Sequence, residues 1–313
     1  MTIKIVFMGS PEFALSSLRE LHSSDKIEVV GVFSQPPKKS GRKMELKDTV
    51  VASFAKQESI PLFTPVKINA EAIEQLKELN PDLVCVVSYG LILPQSILDV
   101  TQFINLHPSS LPRFRGAAPL QHTLISGDDN ADICIMDMES GIDTGAVYKR
   151  VNYKISEDMY LDEYHDMASL EGAKHLLDVV ENWDKYKGQA IKQTEEGMVY
   201  AHKIDKKTQK LDFTKSVGEV YNLIRGISPV PAAKTSIQGV DLKVYKADII
   251  SEAPHSYTAG EIVKANTKDG LQIACGDGII RLKVIQKAGK GKMLDTDLLN
   301  GWDLNVKIFD YKF

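Results

Sequence analysis

The segment INLHPSSLPRFRGAAP, residues 104–119, holds the side chains of this sequence that are best suited to chemistry. Asn105 and His107 stand two residues apart where a short apolar run ends. If that run is a β-strand, its period of two sends both side chains to the same face. Pro108 and Pro112 then stiffen the backbone that follows. An imidazole can donate a proton to a ligand or accept one from it, and a neighbouring carboxamide can form hydrogen bonds to the same ligand.

A carboxylate that could work with this histidine occurs in ESGIDTGAVY, where Asp143 lies between Gly141 and Gly145. Two glycines around an aspartate favour a tight loop that brings the carboxylate close to another group. Next to His107, it would keep the imidazole charged and oriented. Ser109 raises Ser–His–Asp hydrolysis as an alternative, but no G-x-S-x-G elbow is present and Ser109 follows the histidine too closely. Taken singly, each of these residues also fits a structural role.

The elements that would position these residues alternate between strand and helix signals in the first half of the chain. This alternation predicts an α/β fold with a doubly wound, mostly parallel, Rossmann-like sheet. The carboxyl ends of its strands would face the ligand crevice. The predicted strands are Ile3–Met8, Ile27–Phe33, Leu83–Ser88, Phe103–Leu106, Ile133–Met138 and Val147–Ile155, and the predicted helices are Phe13–Leu21, Ala70–Leu79, Ala118–Ser126 and Leu161–Trp183.

The pattern changes after Tyr186. Residues 188–207 are polar and show no clear period, which predicts a linker. Beyond it, a helical segment at Val217–Ile227 precedes short strands separated by turns, and this predicts a small antiparallel, OB-like β-barrel. We therefore expect a catalytic domain at 1–187, a linker at 188–208 and a C-terminal domain at 209–313. The predicted strands of the last part are Ala233–Ile237, Leu242–Tyr245, Gly260–Ala265, Leu271–Ala274 and Ile279–Ile285.

Charge divides unevenly along the chain. The part before Gln209 has 23 basic and 30 acidic residues, and the part from Gln209 onward has 15 basic and 12 acidic residues. An acidic front part joined to a basic back part favours a polyanion as the partner of the back part, although ordinary surface charge gives similar counts. No apolar run approaches the roughly 20 residues of a membrane span, so we expect no membrane partner.

Three further patterns exclude classes of site. Cys85, Cys134 and Cys275 are widely spaced in apolar runs, which favours buried thiols in a reducing cytoplasm over a zinc site. The first strand ends in MGSPEFA with the single glycine Gly9, and Glu12 would repel a phosphate, so a dinucleotide site is disfavoured. The segment AGKGKM lacks the spacing of a P-loop.

The motifs NLHPSSLPRFRGAAP, VVSYGLILP and GIDTGAV together resemble those of the 10-formyltetrahydrofolate-dependent formyltransferases. The resemblance covers nearly the whole chain, including NLIRGISPVPAAKT, and is most specific to the members that act on aminoacylated initiator tRNA. It implies transfer of a formyl group from 10-formyltetrahydrofolate to the α-amine of methionine esterified to initiator tRNA. It implies no metal.

The resemblance also assigns roles to residues. The family's catalytic trio falls on Asn105, His107 and Asp143. The first two would donate hydrogen bonds to the formyl oxygen as negative charge develops there, and Asp143 would help to remove a proton from the amine. Ser110 and Val230 stand where the family commonly has leucine and tryptophan, and the first is expected to alter folate packing. The implied folate residues are Tyr89, Gly90, Leu91, Ile92, Ser109, Ser110, Leu111 and Pro112.

Basic residues would hold the tRNA. The loop QPPKKSGRKMELK follows the second strand, and on its own it also fits a solvated surface loop. In the family the matching loop contacts the acceptor end of the tRNA, which singles out Arg42. Such binding should weaken with salt. The predicted tRNA-binding residues are Lys38, Lys39, Arg42, Lys43, Lys206, Lys207, Lys287, Lys290 and Lys292.

Three alternatives stay open on the sequence alone. A folate-dependent formyltransferase for a nucleotide-linked amino sugar would share the trio, but a small substrate needs no basic C-terminal part. A 10-formyltetrahydrofolate hydrolase would use water in place of the amine. A non-catalytic folate- or RNA-binding module has no use for an intact trio. We expect a cytoplasmic protein that acts as a monomer.

Overall fold

The computed structural model describes residues 2–40, 44–302 and 304. Two of the predicted tRNA-binding residues, Arg42 and Lys43, lie outside the described residues. The chain forms two compact units. The first takes in residues 1–119, 130–153 and 165–200, and the second takes in residues 120–129, 154–164 and 201–313. The units are therefore not two consecutive pieces of the chain.

The first unit is built on strands that sequence periodicity largely predicts. They are β1 (Ile3–Gly9), β2 (Ile27–Phe33), β3 (Lys38–Ser40), β4 (Glu45–Lys47), β5 (Leu62–Phe63), β6 (Leu83–Val87), β7 (Gln102–His107), β8 (Arg113–Gly116), β9 (Asn130–Asp137), β10 (Val147–Lys154) and β11 (Val199–Ala201). Seven of them form one sheet in the order β10-β9-β7-β6-β1-β2-β5. The pairs from β5 through β7 are parallel, whereas β9 runs antiparallel to β7. This mixed, mostly parallel sheet confirms the predicted fold class.

The helices begin and end where local signals favour it. Thr49 caps its helix by accepting a hydrogen bond from the Ala52 N–H, and Asn69 does the same for Ala72. None of the described helices has the length and apolar content that crossing a membrane requires. The helices are α1 (Glu12–Ser23), α2 (Val50–Gln57), α3 (Ala70–Leu79), α4 (Gln95–Leu98), α5 (Pro119–Ile125), α6 (Leu161–Glu181), α7 (Trp183–Tyr186), α8 (Val217–Ile227) and α9 (Asp295–Leu299).

Two segments carry more structure than their sequence pattern predicts. The basic loop forms a hairpin in which β3 pairs with β4 and Lys38 lies opposite Lys47. The predicted linker contributes β11, which pairs with β8, and Ile191, which exchanges two backbone hydrogen bonds with Val147. The strands β3, β4 and β11 have three residues each, too few for periodicity to reveal them.

The second unit contains an antiparallel sheet in the order β12-β13-β16-β15-β14, with β17 paired to β16. Its helix α8 begins at a capping box in which the side chains of Ser216 and Glu219 each bind the other's backbone N–H. Phe213, Ile224 and Leu282 are fully buried in its core. This β-rich unit agrees with the predicted C-terminal fold. The strands are β12 (Ala233–Ile237), β13 (Val240–Ser251), β14 (Ile262–Asn266), β15 (Gly270–Ala274), β16 (Ile279–Lys287) and β17 (Met293–Leu294).

A buried ion pair joins α9 to β16 in this unit. Asp295 is fully buried, and its carboxylate accepts hydrogen bonds from Arg281 Nε at 2.8 Å, Arg281 Nη2 at 2.9 Å and the Leu271 N–H at 2.8 Å. Burial alone would raise the pKa of Asp295, but the bonds from Arg281 and the backbone lower it. The stabilisation is therefore present above the unfolded-state pKa and is lost as the pH falls through the folded-state value.

We expect Arg281→Met to lower the free energy of unfolding by about 3 kcal/mol, because it leaves the Asp295 carboxylate buried without its partner. Urea denaturation followed by circular dichroism at neutral pH measures this. Lys264→Met is the control, since it breaks a solvent-exposed 3.2 Å pair with Asp269 and should lower the free energy of unfolding far less than Arg281→Met. Equal losses for the two variants would contradict the role of the buried pair.

Candidate active site

Asn105 and His107 lie at the carboxyl end of β7. Asn105 pairs with Val86 on β6 and with Met136 on β9. The two side chains share one face of the strand and are 9% and 4% exposed. Within the described residues the Asn105 carboxamide forms no hydrogen bond, so its donors and acceptor are available to a ligand.

The two ring nitrogens of His107 face two different acceptors. Nε2 lies 3.0 Å from the carbonyl oxygen of Phe114, to which it donates because a carbonyl can only accept. Nδ1 lies 3.6 Å from Oδ2 of Asp143. The His107 side chain is 6% exposed and the Asp143 side chain 18%. The ring therefore has a hydrogen-bond acceptor at Nε2, and a carboxylate lies beyond hydrogen-bond length from Nδ1.

Asp143 reaches His107 from the loop between β9 and β10, and this loop is tight. The Asp143 backbone has a φ of +52°, in the left-handed region. A Cβ at Gly145 would lie 2.0 Å from the carbonyl oxygen of Asp137, and one at Gly141 would lie 2.3 Å from the Thr144 hydroxyl oxygen. The prediction of a tight loop around the carboxylate is confirmed.

The strand β8 supplies backbone groups to both members of this pair. Phe114, whose φ is +64°, presents its carbonyl oxygen to the imidazole. The N–H of Gly116 donates to Oδ2 of Asp143 at 2.7 Å, a short charge-assisted hydrogen bond. The RFRG sequence therefore fixes the orientation of His107 and Asp143 through its main chain.

Gln193 and Arg115 support the Asp143 loop, and sequence reasoning missed both. Gln193 Nε2 donates to the carbonyl oxygens of Asp143 at 2.9 Å and Gly145 at 2.8 Å. Arg115 is 2% exposed and donates from Nε to Gln193 Oε1 at 3.0 Å. Gln193 lies in a polar segment without periodicity, so no local signal identifies it.

Ser109 is not a nucleophile activated by His107. Its hydroxyl donates to the carbonyl oxygen of Arg113 at 2.9 Å, with a longer 3.4 Å contact to that of Phe114. Because His107 Nε2 also donates to Phe114, the two groups are both donors and neither accepts a proton from the other. This geometry argues against Ser–His–Asp hydrolysis.

The first predicted folate segment mixes buried and exposed groups. Tyr89 is buried, which raises the pKa of its hydroxyl, and that hydroxyl has no hydrogen-bond partner in the part of the chain that the structure describes. Gly90 has a φ of +80°, and a Cβ there would meet Gln35 Nε2 at 2.3 Å. Leu91 is partly buried, and Ile92 is 91% exposed and presents an apolar surface.

The second predicted folate segment is held by its own protein contacts. The Ser110 hydroxyl accepts a hydrogen bond from the Asp132 N–H at 3.0 Å. Leu111 is buried, its carbonyl oxygen accepts from Arg150 at 2.6 Å, and a cis peptide bond joins it to Pro112. The serine that departs from the family pattern therefore braces the loop. Val230, the other departure, is 75% exposed.

A cleft of about 570 Å³ opens at the carboxyl ends of β1, β2 and β6, and Ser10, Gln35, Thr49 and Ser88 are among its lining residues. Because β6 lies between β1 and β7 and neighbouring strands are about 4.8 Å apart, the end of β1 is about 10 Å from Asn105. A ligand seated in this cleft could reach the carboxamide.

The described lysines among the predicted tRNA contacts fall in several places. Lys38 and Lys39 lie on β3. Lys206 and Lys287 line one cavity of about 460 Å³ in the second unit, and Lys207 lines another.

The ammonium of Lys287 lies 3.6 Å from the Trp302 ring centroid, and that of Lys292 lies 4.0 Å from the Tyr245 centroid. Burial, followed by repulsion from Lys290, lowers the pKa of Lys287. Three further lysines line the first cavity: Lys210, Lys234 and Lys243.

The described residues include neither a reactive thiol nor a group of side chains that could bind a metal ion. The three cysteines are free and buried, and burial raises the pKa of Cys134 to about 11 and that of Cys275 to about 12. Such thiols are inert as nucleophiles. Within residues 2–40, 44–302 and 304, no three His, Cys, Asp or Glu side chains are grouped so that they could hold a metal ion.

Two family descriptions match this sequence. Residues 3–180 match the family described as formyl transferase, and residues 203–302 match the family described as formyl transferase, C-terminal domain. The chain belongs to the formyl transferase family, and it is a formyltransferase enzyme.

The chain is also similar to individual formyltransferases. The methionyl-tRNA formyltransferase of Rickettsia massiliae is 36% identical over 304 residues, which cover 96% of this chain and 98% of the relative. The methionyl-tRNA formyltransferase structure from Clostridium thermocellum matches with a TM-score of 0.53 and 15% identity, covering 79% of this chain and 93% of that one. An N-formyltransferase structure from Helicobacter canadensis, in complex with folinic acid and dTDP-3-aminofucose, matches with a TM-score of 0.65 and 18% identity, covering 92% of this chain and all of that one. The two structural likenesses show the fold.

We expect Gly145→Ala to lower kcat for formyl transfer by about 100-fold, because the added Cβ meets the Asp137 backbone and displaces the loop that holds Asp143. Steady-state kinetics on the folded variant measures this. Gly218→Ala is the matched control, since a Cβ there meets no atom within 4 Å, and it should keep the activity of the unaltered protein. Equal activity of the two variants would show that the tight loop does not matter for turnover.

Proposed function

We propose that the protein transfers the formyl group of 10-formyltetrahydrofolate to the α-amine of methionyl-initiator tRNA. One observation carries the proposal. Asn105 and His107 share one face of β7, with Asp143 3.6 Å from His107, in a chain that is 36% identical over 96% of its length to a methionyl-tRNA formyltransferase. Both substrates bind transiently, and the chain's own groups supply the catalysis.

The reaction develops negative charge on the formyl oxygen as the amine attacks the formyl carbon. The Asn105 carboxamide can donate one hydrogen bond to that oxygen. The 3.6 Å between His107 Nδ1 and Asp143 is longer than an N–H···O hydrogen bond, so the Nδ1 proton is not committed to the carboxylate. It can be donated to the oxygen instead. Two donors aimed at a developing oxyanion lower the barrier because they need no reorganisation during the reaction.

Protons must also move for the reaction to balance. The attacking nitrogen gains the formyl carbon and loses a proton, and the departing N10 loses that carbon and gains a proton. Asp143 can accept the first proton through a water molecule, since its carboxylate is partly open to solvent. Until it accepts that proton, the negative charge of Asp143 favours a positive charge on the His107 ring.

The folate would occupy the edge of the sheet next to β7. Exposed Ile92 and Ile142, which is 65% exposed, offer apolar surface on two loops that border the site. The Asn105 carboxamide, which forms no hydrogen bond within the described residues, offers a polar group of the kind that fixes a ligand's orientation. Apolar faces with a few polar groups suit a planar pteridine and its aromatic tail.

The tRNA would be held by lysines rather than by sequence readout. Lys38 opposite Lys47 on the hairpin is a like-charge pair that a phosphate would relieve. The cavity lined by Lys206 and Lys287 groups five lysines around one space. Arg42 and Lys43, which lie outside the described residues, are proposed as further contacts on the basis of the sequence alone. A nucleotide-linked amino sugar carries a single diphosphate, whereas tRNA presents many phosphates, so this number of lysines favours tRNA over that alternative.

We further propose that the protein works in the cytoplasm, because its relatives are named for a reaction on tRNA, and that it works as a monomer. Light scattering at micromolar concentration tests the oligomeric state. Formate release without tRNA would instead favour the hydrolase alternative, and formylation of an amino sugar in place of the tRNA would favour the sugar alternative.

We expect Asn105→Ala and His107→Ala each to lower kcat by about 100- to 1000-fold, because each removes one donor to the formyl oxygen. The melting temperature and the Kd for tRNA should change little. Rapid-quench formylation assays with charged initiator tRNA and formyl-folate, together with tRNA-binding titrations, measure these effects. Near-normal formylation by either variant would defeat the proposed mechanism.

We expect Lys206→Ala combined with Lys287→Ala to raise KM for tRNA about tenfold and to leave KM for the folate unchanged. The slope of log KM against log salt should also become shallower by about 1.5, because two phosphate contacts are lost. Lys264→Ala combined with Lys268→Ala is a control with the same charge change, since neither lysine lines the cavity. Parallel losses in folate and tRNA use would contradict this placement of the tRNA.

A further inference from the structure

Gln193 connects to the catalytic aspartate through the main chain. Its two amide hydrogens bind the carbonyl oxygens of Asp143 and Gly145, so one side chain spans the residue that carries the carboxylate and the glycine two positions later. Gln193 is partly buried and Gly145 is buried. Without the Gln193 amide, these two carbonyl oxygens would lose their hydrogen bonds to water on folding and gain none in return.

The buried Arg115 fixes which way round the Gln193 amide lies. The Arg115 Nε–H donates to Gln193 Oε1, so Oε1 must face the guanidinium and Nε2 must face the loop. Glu195, which is 74% exposed, contacts the outer end of the same guanidinium at 3.4 Å. The amide therefore faces a donor on one side and two carbonyl oxygens on the other. A carboxylate in its place could not donate a hydrogen bond to those oxygens.

These contacts converge on one carboxylate. Phe114, Arg115 and Gly116 are consecutive residues of β8: the first binds His107, the second holds Gln193, and the third donates to Asp143. The Asp143 backbone is in the left-handed region, where a residue other than glycine stays only if its surroundings hold it. The hydrogen bonds from Gln193 supply that restraint at the Asp143 carbonyl itself.

We propose that Gln193 is a positioning residue for formyl transfer, acting through the Asp143 loop to keep the carboxylate next to His107. The proposal rests on the proposed function for its kinetic readout. A purely structural role would make Gln193 variants less stable or less well bound to substrate. A positioning role lowers kcat while the KM for each substrate and the melting temperature stay close to those of the unaltered protein.

Gln193→Glu is the sharpest variant, because it keeps the size of the side chain and turns two donors into an acceptor opposite two carbonyl oxygens. We expect kcat to fall about 30-fold with both KM values within threefold. Gln189→Glu is the matched control, since it makes the same charge change at an exposed residue of the same segment. It should keep the kcat of the unaltered protein. Equal kcat for the two variants would overturn the proposal.

A double-mutant cycle separates action through Asp143 from an independent effect. In an Asp143→Asn background, Gln193→Glu should lower kcat by less than twofold, because the group that Gln193 positions has already lost its charge. If the two losses multiply in full, Gln193 does not act through Asp143. Gln193→Met repeats the cycle without a new charge and should give the same non-additivity.

Hydrogen exchange tests the same idea without activity. The Gly116 N–H is bound to the Asp143 carboxylate, so its exchange should speed up about tenfold in Gln193→Glu while amides of α8 keep their rates. Unchanged Gly116 protection, or global unfolding of both Gln193 variants, would overturn the proposal. If the unaltered protein does not formylate methionyl-initiator tRNA, the proposed function fails while this exchange measurement still decides the role of Gln193.

Discussion

The rest of the site depends on the placement of the His107 ring between a carbonyl oxygen and a carboxylate. Nε2 is 3.0 Å from the Phe114 oxygen, and Nδ1 is 3.6 Å from Asp143. The strand β7 places the Asn105 carboxamide on the same face as this ring. Under the proposed function, both groups are held by the protein before substrate arrives, which is the condition for effective stabilisation of an oxyanion.

The backbone around the ring is held in uncommon conformations to satisfy this constraint. Phe114 and Asp143 both have positive φ, at +64° and +52°, and each such residue costs of order 1 kcal/mol or more. Gly145 has no room for a side chain against the Asp137 backbone. These features are stable together because β8 and Gln193 restrain the same few atoms from different directions.

Local patterns explain which parts of this arrangement a sequence can reveal. Asn105 and His107 were identifiable because a strand's period of two is local, and Asp143 because two glycines flank it. The bounds of α3 and α8 likewise follow from helical spacing and local caps. Gln193 lies 50 residues from Asp143 and 78 from Arg115, and its role depends on hydrogen bonds between segments that share no pattern. The strands β3, β8 and β11 were missed because segments of three or four residues are too short to show a period.

The chemistry open to the site is limited by the kinds of groups it contains. A covalent formyl-enzyme would need a nucleophile next to a base that can accept its proton. The Ser109 hydroxyl and the nearby edge of His107 are both donors to backbone carbonyls, and burial raises the pKa of the Cys134 thiol to about 11. What the described site offers is hydrogen-bond donors, which under the proposed function act on the formyl oxygen. The rate of that reaction depends on how firmly the donors are held, so a glutamine that binds the main chain of Asp143 and Gly145 affects turnover without meeting the substrate.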